Sequence, residues 1–116
     1  MRVMILAKAQ PGSETPKNPT PEALEAYGKF HEELVAAGIL LAGDRLHPGS
    51  QAVRVRFEGA SRTVTDGPFT EAKELVAGFW IWQVRSMDEA IEWLKRAPYE
   101  GGDFEVRQIF DQPAAG

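Results

Sequence analysis

Leu75-Val76-Ala77-Gly78-Phe79-Trp80-Ile81-Trp82-Gln83-Val84-Arg85 is the stretch on which the fold turns. In a strand, successive side chains point to opposite faces. Leu75, Ala77, Phe79 and Ile81 then share one face, and Val76, Gly78, Trp80, Trp82 and Val84 share the other. Both faces are apolar, so the strand needs cover on both sides. Helices can cover one. A chain of 116 residues has too little left for the other, so a second copy of the chain is the expected cover. Trp80 and Trp82 then serve as core packing or as lining of the cavity between two copies.

Downstream, Ser86 and Glu89 have the spacing of a capping box, and Ala90, Ile91, Trp93 and Leu94 give an apolar side to a helix over about 87–97 that Pro98 stops. A last strand covers about 103–110, and the tail at 111–116 is frayed. Upstream, Val53, Val55 and Phe57 alternate with Arg54, Arg56 and Glu58. That is a half-exposed strand over 52–58, turned by Glu58-Gly59-Ala60-Ser61 into a second arm at 62–65. The N-terminal stretch 2–8 is a strand with two apolar faces, too short for a signal peptide or a membrane span. Four prolines and a glycine make 10–21 a long exposed loop. Thr20 caps and Pro21 opens a helix over about 21–37, with Leu24, Tyr27, His31, Leu34 and Val35 on its apolar face and Gly38 at its end. A strand over about 39–46 follows.

The order β-α-β-β-β-β-α-β, in one domain spanning 1–116, predicts an α+β fold. It is a ferredoxin-like antiparallel sheet with both helices on one face and a hairpin inserted in the middle. Two such sheets face to face make a dimeric α+β barrel.

Asp66-Gly67-Pro68-Phe69-Thr70-Glu71-Ala72-Lys73-Glu74 is a recognisable signature, and with it the chain resembles the DGPF-type branch of the YCII-related proteins. Gly38-Ile39-Leu40-Leu41-Ala42-Gly43, Gly78-Phe79-Trp80 and Pro98-Tyr99 add to the likeness, which runs from residue 1 to about 110. The resemblance implies a dimeric α+β barrel. Some such proteins carry a helix-one histidine proposed to be catalytic; counted back from Gly38, that position is Tyr27 here, with His31 one turn later. The resemblance also implies an extracytoplasmic-function sigma factor as a partner, because DGPF-type members often accompany or are fused to one.

The residues themselves place chemistry between the first helix and the sheet. His31 is the one general base near neutrality that the pattern puts there. Tyr27 and Asp44 are its orienting groups, and Asp66, Glu71 and Lys73 are ligand contacts at the barrel mouth. Each has a plain structural reading beside it. His31 and Tyr27 can be amphipathic side chains at the core edge. Asp44-Arg45 can be a surface ion pair. Asp66-Gly67-Pro68 can be a turn in which Asp66 caps and Gly67 takes positive φ.

Composition excludes more than it assigns. There is no cysteine, so disulfides and thiolate chemistry are out and a cytoplasmic location fits. His31 and His47 lack metal-ligand spacing, no phosphate loop or nucleotide fingerprint is present, and neither metal nor cofactor is expected. A net charge of −4 with scattered Lys and Arg argues against a nucleic-acid partner. Two readings stay open: a small-molecule-binding homodimer with acid–base chemistry in the cleft, and a non-catalytic regulatory partner of a sigma factor.

Overall fold

The computed structural model describes residues 1–8, 20–67 and 76–111. It contains β1 (Arg2–Lys8), α1 (Pro21–Ala36), β2 (Leu40–Arg45), β3 (Val53–Glu58), β4 (Ser61–Asp66), β5 (Val76–Gln83), α2 (Met87–Lys95) and β6 (Asp103–Gln108), with a 3-10 turn at Gly49–Gln51. Four strands pair antiparallel in the order β2-β5-β1-β6, and β3 and β4 form a separate hairpin. With the hairpin set aside, this is the ferredoxin-like order, as the sequence predicts.

Local chemistry sets the helix ends. The Thr20 hydroxyl accepts from the Ala23 amide at 3.1 Å, and Pro21 opens α1 without losing a needed donor. Gly38, at φ 72°, lets the Ile39 amide reach the Leu34 carbonyl at 2.9 Å. That closes a Schellman motif, with Leu34 and Ile39 both buried beside it. At α2 the Ser86 hydroxyl accepts from the Glu89 amide, while the Glu89 carboxylate accepts from the Arg85 amide and guanidinium. The returning bond thus reaches one residue beyond the capping position. Those bonds hold the Glu89 carboxyl below the ordinary carboxylate range, the Arg85 backbone bond first.

Both helices cover one face of the sheet. The core on that face is Val3, Ile5, Phe30, Leu34, Ile39, Trp82, Val84 and Ala90, all buried. Trp80 and Trp82 stack there, with ring centroids 5.4 Å apart. The opposite face of β5 carries Phe79 and Ile81 beside Leu6 and Met4 of β1, all half-buried. The two tryptophans therefore belong to the helix-covered core, and the second apolar face is Met4, Leu6, Phe79 and Ile81.

Two expectations are corrected here. The core-facing stripe of α1 is Phe30 and Leu34 with half-buried Tyr27, where the sequence predicts Leu24, Tyr27, His31, Leu34 and Val35. Leu24 keeps to the side of Tyr27 but is exposed, and His31 and Val35 are exposed. Both stripes contain Tyr27 and Leu34, and they differ in which neighbour fills the gap. At 100° per residue Phe30 and His31 cannot both face the core, and the larger apolar ring takes the place. Positive φ occurs at Gly38, Gly59 and Gly102 among the described residues, not at Gly67. The Gly67 amide instead donates to the Ala52 carbonyl at 2.8 Å, prolonging the hairpin ladder rather than turning the chain. The rest of the 66–74 signature and the 10–19 part of the long loop lie outside the described residues.

Candidate functional site

Beyond the core, the helix-covered face opens into a cleft of about 770 Å³ between α1, the sheet and the segment after α2. Strand register fixes its floor. One row across the strands reads Phe104, Ala7, Gly78 and Arg45; the next includes Ile5, Trp80 and Gly43. Leu24 and Tyr27 of α1 form the wall above, and Tyr99 closes the side. The rings make a continuous apolar lining. Tyr27 and Tyr99 stack at 5.1 Å, Tyr99 meets Phe104 at 5.1 Å, and the Trp80 and Phe104 ring planes differ by only 10°.

Trp80 lies flat because its partner across the strands is Gly43. A Cβ at Gly43 would run into Cδ1 of the Trp80 indole and stand 3.1 Å from the Phe79 carbonyl oxygen. Gly43→Ala is therefore expected to lower stability by about 1–3 kcal/mol, the cost of overpacking a filled site. Gly28→Ala is the control. Gly28 sits mid-helix with nothing within 4 Å of its missing Cβ, and the change should add about 0.5–1 kcal/mol. Urea denaturation of both variants checks the opposite signs.

Three polar side chains reach this apolar lining: the Tyr27 and Tyr99 phenols and the Arg45 guanidinium. Partial burial pushes the Tyr99 phenol above its ordinary pKa of 10.0; the nearby Tyr27 adds to this, and Arg45 works against it. Tyr99 is thus a hydrogen-bond donor at neutral pH. A raised folded-state pKa favours the folded state while the phenol is neutral in both states. That contribution is lost as pH climbs through 10.0 and beyond. Melting temperature should accordingly fall less steeply in Tyr99→Phe than in the unaltered chain above that pH. Parallel curves would show that Tyr99 ionises as freely folded as unfolded.

Of the residues predicted from sequence, Tyr27 lies at this cleft; Asp44 is part of its lining, but its side chain stands with Phe79 on the other face of the sheet. His31 does not: it is exposed and is absent from the lining. Asp66 ends β4 on the exposed hairpin, opposite Val53, and does not line the cleft either. Glu71 and Lys73 lie outside the described residues. The surface pair Asp44-Arg45 is not formed, because Asp44 opposes Phe79 and Arg45 opposes Gly78, on opposite faces of β2. Sequence reasoning missed Arg45, Tyr99 and Phe104 as site residues. Only the pairing with Gly78 brings Arg45 inward, and no periodicity reports a pairing partner. Among the described residues no cluster of three or more His, Asp or Glu could hold a metal ion, and no helix is long and apolar enough to cross a membrane.

Three comparisons bear on the chain. An uncharacterised protein of Rhizobium meliloti (strain 1021) is 37% identical over 78 residues, which span 65% of this chain and 63% of that one. The 5-chloro-2-hydroxyhydroquinone dehydrochlorinase of Burkholderia phenoliruptrix AC1100, solved with 2,5-dihydroxybenzoquinone, is similar in chain path over 97% of this chain and 96% of its own. It is 19% identical with a TM-score of 0.48, so the likeness carries no reading of activity. The profile of the YCII-related domain matches residues 1–112. Matched over all but its last four residues, the chain belongs to the YCII-related family.

Proposed function

We propose that the protein is a cytoplasmic homodimer that binds a small molecule in the cleft between α1 and the sheet and acts on it by acid–base chemistry. The observation that carries the reading is the cleft itself. It is mostly apolar, with a few polar side chains, Tyr27, Tyr99 and Arg45, on its walls, which is the usual make-up of a small-molecule site. The base expected at His31 is not available there. Tyr99 takes the polar role there: its phenol, stacked on Tyr27 at the cleft wall, donates a hydrogen bond to a ligand oxygen, and Tyr27 stands beside it to orient that oxygen. The open sheet face supports the dimer. Met4, Leu6, Phe79 and Ile81 form an apolar patch that a second sheet would cover, giving the α+β barrel.

A fragment screen followed by protein NMR tests the reading. Ligands should shift the resonances of Tyr27, Trp80, Tyr99 and Phe104 together. A screen in which no fragment shifts this group would sink it.

One observation favours the regulatory alternative. The hairpin exposes Val53 (58%), Val55 (54%), Phe57 (69%) and Val64 (65%) on a single face, an apolar strip suited to a protein partner. Co-elution with a purified extracytoplasmic-function sigma factor encoded beside the gene, lost in Phe57→Asp, would support it. Failure to co-elute would remove it.

A further inference from the structure

The floor of the cleft has a direction. Its outer row runs Phe104, Ala7, Gly78, Arg45, one residue from each of the four strands β6, β1, β5 and β2. The end residues are thus three strand spacings apart, about 14 Å at ~4.8 Å each. Between them stand the two smallest side chains that a strand can offer. The result is a trough, aromatic at one end and cationic at the other. Gly78 is held small by its surroundings: a Cβ there would come 3.0 Å from the Asp44 carbonyl oxygen. Trp80 and Phe104, with ring planes within 10° of each other, give the trough a flat apolar surface, and Tyr99 stands against Phe104. Among the described residues no carboxylate closes a salt bridge with Arg45.

We propose that the trough takes a flat aromatic carboxylate, its ring over Ala7 against Trp80 and Phe104, and its acid group on the Arg45 guanidinium. A guanidinium fork holds a carboxylate through two parallel hydrogen bonds, which fixes the ligand's direction as well as its charge. A flat ring suits a floor of parallel ring planes, because offset stacking adds to area burial. The inference rests on the cleft being a ligand site, and it adds the class of ligand.

The test uses three probes on the full chain, followed by calorimetry and NMR: 2-naphthoate, the neutral 2-naphthalenemethanol, and the saturated acid cyclohexanecarboxylate. The expected order has 2-naphthoate tightest. Arg45→Ala should weaken 2-naphthoate by roughly tenfold or more, the loss of a charge-assisted pair, and leave 2-naphthalenemethanol unchanged. Arg45→Lys should restore part of the loss. Arg45 is exposed, so an unchanged melting temperature is expected to certify both variants. The proposal is overturned if the alcohol binds as tightly as its acid, if the saturated acid matches 2-naphthoate, or if Arg45→Ala weakens both naphthalenes alike. It is also overturned if 2-naphthoate does not bind. In that case, neutral fragments that still shift Tyr27, Trp80 and Phe104 would leave the ligand-site reading standing, and silence from every class would remove both.

Discussion

Trp82→Ala is expected to lower the free energy of unfolding by about 3–5 kcal/mol, the range for emptying a buried aromatic site. Small proteins have roughly 5–15 kcal/mol in all, so the variant should be close to unfolding at room temperature. Trp82 is 0% exposed and among the largest fully buried side chains. It stacks on Trp80 and takes the edge of Phe30 at 6.5 Å. Val3, Ile5 and Leu34 are as deeply buried, so the walls of the cavity have little freedom to collapse. The indole also holds a buried Nε1 with no hydrogen-bond partner among the described residues. An unsatisfied buried donor costs about 1–3 kcal/mol. Trp82→Phe removes that donor along with part of the ring, so it should cost far less than Trp82→Ala. Urea midpoints for the pair, at unchanged slope, give the comparison. Equal losses would mean that the indole N–H is satisfied after all.

Ile81→Glu should turn a dimer into a monomer. Ile81 lies on the sheet face turned away from both helices, flanked by Met4 on β1 and Ala42 on β2. In the proposed dimer a two-fold axis through that face would count each substitution twice, and burying an unpaired carboxylate costs several kcal/mol. We expect the dimer dissociation constant to rise by at least about a thousandfold, ~4 kcal/mol. Light scattering at micromolar concentration should give twice the 12.8 kDa chain mass for the unaltered protein and the single mass for the variant. A 12.8 kDa particle in both cases would leave the open face uncovered and defeat the barrel. The substitution belongs at Ile81 rather than at Trp80 or Trp82, since a charge on the tryptophan side attacks the core of one subunit first.

The element order, both helix caps, the turn at Gly59 and the inserted hairpin were all legible in the chain. Each rests on local chemistry: a hydroxyl three residues before an amide, a glycine where φ must be positive, a period of two or of 3.6. What could not be read was which of two nearly coincident stripes α1 turns inward. On a helical wheel His31 shares a face with Tyr27 and Leu34. Phe30 shares that face too from its other side, and only the packing against Trp80 and Trp82 decides between them. The same holds for Arg45. Its neighbour in sequence, Asp44, offered a ready ion pair, and its neighbour in space, Gly78, could not be known before the register of β2 on β5. Tyr27 was therefore legible as a cleft residue, and the part contributed by pairing and by the segment after α2 was not.

The fit of Gly43 under the Trp80 indole also has a consequence for descent. The two positions lie 37 apart in the chain yet occupy one volume. Even a methyl group at 43 costs stability as long as a flat indole stands at 80. A small side chain at 80 removes the larger of the two obstacles to a Cβ at 43 and leaves the Phe79 carbonyl oxygen at 3.1 Å. Mutational drift should thus pass through this pair in joint steps, and the single intermediates should be rare. Swapping both residues together, Gly43→Val with Trp80→Val, should disturb the fold less than Gly43→Val alone.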